Sequence, residues 1–278
     1  MDMSYDTIRA YKRKLCEEER SPGTIEKYLR DITSFAAWLD SRELDIETVI
    51  AWKEHLLAER YQPGTINSML SALNGYFRFI GREDCRAKFL RVQRKMFRDP
   101  ARDLCKDDYE RLLQTAGAIG NTRLRLLMET ICATGIRVSE LKYITVEAAK
   151  AGRAQISLKG KIRIILLPGN LCRKLQKYAH KQKIASGEIF LTRSGKSLSR
   201  RQVWREMKRL CGQADVEPSK VFPHNLRHLF AATFYKSCRD IVKLADVLGH
   251  SSIETTRIYL ISTGEEHVRQ LDRLGLVS

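Results

Sequence analysis

His224-Asn225-Leu226-Arg227-His228 is followed in this chain by Leu248-Gly249-His250 and, nine residues beyond that histidine, by Tyr259. These residue types suit one kind of chemistry. An arginine presents a rigid fork of donors matched to phosphate oxygens, a histidine exchanges protons near neutral pH, and a tyrosine hydroxyl can become a covalent nucleophile. Singly, each has a plainer reading. His250 after Gly249 suits a cation at a helix C-terminus, and Tyr259 suits a core aromatic with its hydroxyl at the surface. Arg227 between two histidines resists that treatment, because three basic groups within five residues repel one another unless an anion lies among them.

Upstream, Ala133-Thr134-Gly135-Ile136-Arg137-Val138-Ser139-Glu140-Leu141 supplies a second arginine with a carboxylate three residues on, hence on the same helical face. Alone, that pair is a helix cap. Between the two arginine motifs the hydrophobic period shifts from helical to alternating: Ala154 to Leu158 and Ile162 to Leu167 read as two short strands around Lys159-Gly160-Lys161. A lysine at such a tip is by default a solvated turn residue.

The first 95 residues read as four helices, with apolar runs at Ile8 to Leu15, Ile25 to Leu39, Ile46 to Leu57 and Ile66 to Ile80, enough for a small bundle. The openings Ser21-Pro22-Gly23-Thr24 and Gln62-Pro63-Gly64-Thr65 suggest shared cap chemistry rather than an internal repeat. Arg98-Asp99-Pro100-Ala101-Arg102 breaks the pattern and reads as a linker. Helices are expected again at Lys106 to Thr115, Arg123 to Thr134, from Arg137 onward, at Leu171 to Gln182 and at Ser199 to Ala214. From Asn225 three pieces follow, broken near Arg239 and at Gly249 to Ser252. Ile189-Phe190-Leu191 is a candidate short strand. A tail helix from Gly264 to Leu274 carries Val268, Leu271 and Leu274 on one edge. The fold class is mainly α with a small β-sheet, divided into residues 1–97, a linker at 98–103, and a second domain at 104–278 with the tail from about 264.

Charge narrows the class of partner. The chain has 278 residues, a net charge of +17 and a pI near 9.7, well beyond what solubility requires. Residues 1–99 hold 18 Lys+Arg against 16 Asp+Glu, so residues 100–278 carry +15 of the excess. Within the first part, Arg86, Lys88, Arg91, Arg94, Lys95 and Arg98 form a run without an acid from Cys85 to Arg98. Such a run is either a solvated face or a contact to a polyanion backbone. The seven cysteines show no C-x-x-C pair and no short spacing to histidine, which argues against zinc. Their odd number, and the lack of a secretory apolar segment at the N-terminus, point to reduced thiols in a cytoplasm. No apolar run reaches membrane-spanning length.

As a set, these motifs resemble the tyrosine recombinases, the phage-integrase and Xer-type family. The resemblance carries Arg137 and Glu140 over from A-T-G-x-R-x-S-E-L, His224, Arg227 and His228 from H-x-L-R-H, His250 from L-G-H, and Tyr259 from T-T-x-x-Y. The family's catalytic lysine sits in a hairpin usually written G-K-G-x-K-x-R. This chain departs there with Ser157-Leu158-Lys159-Gly160-Lys161-Ile162-Arg163, one residue short at the turn, so that Lys159 is the nearer counterpart and Lys161 the alternative.

The resemblance implies a SAM-like helical domain and a catalytic domain that together cut and rejoin double-stranded DNA at paired inverted half-sites. Arg137 and Arg227 would neutralise the phosphate, Tyr259 would form a 3′-phosphotyrosyl bond, Lys159 would protonate the leaving oxygen, and His224 would accept the tyrosine proton. His250 would bond the phosphate, while Glu140 and His228 would orient the others. Lys161, Arg200 and Arg201 join the basic run as candidate DNA contacts. No metal or cofactor is implied. Four protomers would assemble on DNA, the tail helix of each docking on a neighbour, in the nucleoid. A type IB topoisomerase-like nicking enzyme, or a catalytically inactive DNA-binding homologue, stays open at this point.

Overall fold

The computed structural model describes residues 3–92, 100–158, 161–250, 252–259, 268–269 and 272–274. Lys159, Arg94, Lys95 and Arg98, and most of the expected tail helix, lie outside the described residues. The chain divides into two compact units, Met1–Arg94 and Lys95–Ser278.

In the first unit, α1 (Tyr5–Glu17), α2 (Pro22–Leu39), α3 (Ile46–Ala58) and α4 (Pro63–Phe79) precede a 3-10 turn at Glu83–Cys85. Three-and-four spacing buries Ile25, Ile32, Phe35 and Leu39 of α2 and Ile66, Leu70, Leu73 and Phe77 of α4. Phe35 meets Trp52 of α3 edge-on with centroids 5.1 Å apart. The two similar openings share only part of their chemistry. Proline begins both α2 and α4, where a missing N–H costs nothing. Ser21 then accepts the Thr24 N–H at 3.3 Å, whereas Gln62 makes no side-chain cap.

Helix α4 also holds the segment that follows it. Asn74 donates to the Ala87 carbonyl at 3.0 Å and accepts the Ala87 N–H at 3.2 Å, and Asn67 grips Leu90 the same way at 2.9 and 2.8 Å. Ala87 is buried by this arrangement, while Arg86, Lys88 and Arg91 are exposed. Arg86 pairs with Glu83 at 2.9 Å.

The second unit runs α5 (Lys106–Ala118), α6 (Thr122–Thr134), a 3-10 helix (Val138–Tyr143), α7 (Val146–Ala151), strands β1 (Arg153–Leu158) and β2 (Lys161–Leu166), then α8 (Gly169–Lys181), α9 (Arg200–Ala214), α10 (Pro223–Cys238), α11 (Ile241–Leu248) and α12 (Ile253–Arg257). Its core joins Leu124, Leu127 and Ile131 of α6 with Ile156, Ile165, Leu175, Met207 and Leu226. The strands pair antiparallel from Arg153↔Leu166 to Leu158↔Lys161, which leaves two residues for the connection.

Two local expectations change. The helix from Arg137 is a single 3-10 stretch, because Gly135 ends α6 at φ +64° and Thr145 already caps α7. Ile189 and Phe190 are consecutive buried residues, 0% and 2% exposed, and isolated bridges at Thr145↔Glu188 and Leu191↔Ser197 replace the expected strand. Within the expected linker, Pro100–Arg102 form a 3-10 turn, and the Arg102 carbonyl accepts from Asn225 at 2.8 Å. Among the described residues no helix is long and apolar enough to cross a membrane.

Candidate active site

Pro223 starts α10, and one turn later Arg227 enters the interior with only 2% of its surface exposed. Burying a guanidinium costs several kcal/mol unless its donors are matched. Here they are. Nε donates to the Tyr259 hydroxyl at 3.3 Å, Nη1 to the Gly135 carbonyl, and Nη2 to the Leu248 carbonyl at 3.0 Å and to His250 Nε2 at 2.8 Å. Among the described residues these take four of the five N–H groups an arginine has. Burial lowers the proton affinity of Arg227 first, and Arg137 and Arg163 add to that, against the bond to Tyr259.

Gly135 makes the second of these contacts possible. A Cβ there would stand 2.9 Å from the Leu248 side chain and 2.5 Å from the Phe230 ring, so only glycine lets α6 end this close to α10.

Glu140, 2% exposed, is the sole carboxylate among the described groups of this cluster. Its Oε2 accepts the Arg137 backbone N–H at 2.7 Å, and its Oε1 takes Arg137 Nη1 at 3.0 Å. Oε2 also receives Nη2 of Arg163 from β2, and Arg163 Nη1 donates to the Leu248 carbonyl. Two arginines therefore hold one carboxylate, and Arg227 adds a third positive charge to the cluster. The unbalanced charge is what a phosphodiester would neutralise.

Tyr259, 4% exposed, sits among three histidines. Its ring lies 4.8 Å edge-on from that of His228, 5.8 Å from that of His224, and 5.8 Å in a stack with that of His250. His250 Nδ1 meets Thr256 Oγ1 at 2.9 Å. Its proton affinity is pushed down to about 4, by burial foremost and then by Arg227, Arg137 and Arg163, with Glu140 opposing.

A cavity of about 530 Å³ opens beside Tyr259, lined by Arg137, Arg227 and His224 and by Arg200, Arg201 and Trp204 of α9. Arg137, Glu140, His224, Arg227, His228, His250 and Tyr259 thus meet in one place. Arg200 and Arg201 border it, the backbone of Lys161 opens β2, and Arg86, Lys88 and Arg91 belong to the other unit. Motif reading missed Arg163, Thr256 and Trp204. The signal for Thr256 was its place three residues before Tyr259, and for Trp204 its company among five basic residues of α9, whereas strand alternation gave none for Arg163.

Comparison with known proteins places this geometry. Residues 102–266 match the phage integrase family and residues 8–84 match its N-terminal SAM-like domain. The chain belongs to the phage integrase family, the tyrosine recombinases. It is 30% identical over 272 residues to tyrosine recombinase XerA of Thermococcus kodakarensis, covering 95% of this chain and 93% of that protein. It is 29% identical over 217 residues to tyrosine recombinase XerD of Vibrio cholerae, 73% and 72% of the two chains. In fold it is similar to a lambda integrase tetramer bound to a Holliday junction, with a TM-score of 0.74 at 18% identity over 92% of this chain and 76% of that one. XerH bound to its difH substrate superposes with a TM-score of 0.70 at 19% identity, over 94% and 83%.

Proposed function

We propose that this chain is a site-specific DNA recombinase that breaks and rejoins duplex strands through a covalent bond to Tyr259. One observation carries the reading: Arg227, buried and held by four partners, contacts both the Tyr259 hydroxyl and His250 beside a cavity that Arg137 also lines. A phosphodiester seated there would have its nonbridging oxygens neutralised by Arg137 and Arg227, the electrostatic requirement for phosphoryl transfer.

The steps balance without ATP. Tyr259 Oη attacks phosphorus and yields its proton to His224; the bond from phosphorus to the 5′ oxygen breaks, and that oxygen takes a proton from Lys159 or Lys161. A 3′-phosphotyrosyl link and a 5′-hydroxyl result, and the reverse attack by a second strand's 5′-hydroxyl restores the backbone. Glu140 and His228 orient Arg137 and Tyr259. His250 accepts from Arg227 in the present arrangement, so a phosphate must displace that bond before His250 can donate to it. The basic run 86–98, Arg200 and Arg201 supply backbone contacts, and the tail docks on a neighbouring protomer within a tetramer on paired half-sites in the nucleoid. A nicked suicide substrate, which lets the cleaved fragment escape, tests the reading by trapping the protein–DNA adduct; exchange between two sites then separates recombination from simple nicking and resealing.

A further inference from the structure

We propose that Arg163 is a positioning residue of this site: its guanidinium fastens the Glu140 carboxylate to the Leu248 carbonyl and so sets Arg137, Arg227 and His250 relative to one another. The activity arm of this inference rests on the reading of function above. Arg163 lies on β2, its side chain 16% exposed, and does not line the cavity beside Tyr259. It acts through what it touches.

Two fixed points define the fastening. At the first, Glu140 Oε2 takes Arg163 Nη2 together with the Arg137 N–H, so the start of the 3-10 helix is tied to β2. At the second, the Leu248 carbonyl accepts both Arg163 Nη1 and Arg227 Nη2. One peptide oxygen is thus gripped by two guanidiniums, two residues ahead of His250. The turn is shaped to admit this. Gly249 has φ +64°, and a Cβ on it would collide with Cδ and Nη1 of Arg163. The arrangement persists although Arg163 Nε is buried with no hydrogen-bond partner among the described residues. An unmet buried donor is unfavourable, and two charge-assisted bonds from a planar fork offset it. A lysine, with one compact ammonium, cannot span both acceptors in that geometry.

The test compares Arg163→Lys and Arg163→Met with wild type on a suicide substrate, at saturating protein, alongside duplex affinity and amide hydrogen exchange. Cleavage should slow roughly 10- to 100-fold in both variants, the usual effect of removing a group that orients reacting ones. Affinity for duplex DNA should hold, and peptides covering Gly249 and His250 should exchange faster while those of α1 to α4 do not change. Three results would overturn the proposal: wild-type cleavage by Arg163→Lys, affinity that falls in step with cleavage, which would put Arg163 on the DNA itself, or unchanged exchange at Gly249 and His250. Should Arg163→Met fail to fold, Arg163→Lys carries the comparison. A wild-type protein that forms no adduct would sink the reading of function, and the exchange measurement would still decide the fastening.

Discussion

Arg227 and His250 meet at 2.8 Å, Nη2 to Nε2. A guanidinium only donates, so the imidazole must accept, and its proton sits on Nδ1 facing Thr256 Oγ1. His250 is held neutral. Its folded proton affinity of about 4 lies below the ordinary 6.5, and between those values the unfolded chain binds a proton that the folded chain refuses. The stability this contributes is fully present above the unfolded value and is lost as pH falls through the folded one. Melting temperature followed from pH 8 down to 4 should therefore drop less steeply over the lower half of that range in His250→Gln than in wild type. Parallel curves would rule out His250 as the titrating group.

Tyr259→Phe removes one hydroxyl, which accepts a 3.3 Å bond from Arg227 Nε. The ring still packs against His228 and His250, so the stability cost should be about 1 kcal/mol, typical of a single hydrogen bond. Adduct formation should vanish while duplex binding stays. Any adduct in this variant would assign the nucleophile to another residue.

Lys159→Ala should cleave poorly and recover on DNA with sulfur in place of the scissile 5′ oxygen, since a thiolate departs without a proton. The shortened turn allows a second outcome. Selective recovery of Lys161→Ala on the sulfur substrate would give the acid role to Lys161.

Lys88 and Arg91 are exposed on a segment anchored by Asn67 and Asn74. If each neutralises a phosphate, Lys88→Ala with Arg91→Ala should weaken binding at every sequence and make the slope of log affinity against log salt shallower by about 2. A slope equal to that of wild type would leave this segment off the DNA.

Removing residues 265–278 should preserve binding to a single half-site and abolish cooperative occupation of paired half-sites along with recombination. A short apolar-edged helix is unstable alone and must bury that edge; in the proposed assembly it does so on a neighbour in a closed ring. Gel-shift titrations on one and two half-sites measure this directly; undiminished cooperativity would return the tail to its own protomer.

Much of the fold was legible because helical spacing is redundant: α2 has four buried apolar positions, and losing any one leaves the pattern intact. The candidate site was legible for a different reason, since Arg137, Arg227, His250 and Tyr259 each lie within three residues of a glycine, histidine or threonine of the same short motif. Arg163 was not. In Lys-Ile-Arg-Ile-Ile-Leu, alternation alone would turn Ile162, Ile164 and Leu166 inward, yet these are 68%, 59% and 76% exposed, and Arg163 shares the inner face with the buried Ile165. Pairing with Glu140 and Leu248, far off in sequence, decides that face, and strand periodicity holds no record of it.

The double grip of Asn67 and Asn74 gives α4 an unexpected responsibility. Because the two side chains are seven residues apart, they act as a ruler against which the outgoing chain is counted, with Ala87 and Leu90 as its marks. Adding or deleting one residue between Cys85 and Leu90 would slide the chain along that ruler by one place. Lys88 or Arg86 would then be drawn toward the helix in place of Ala87, so the spelling of this short segment governs where positive charge is displayed even though no helix or strand is altered.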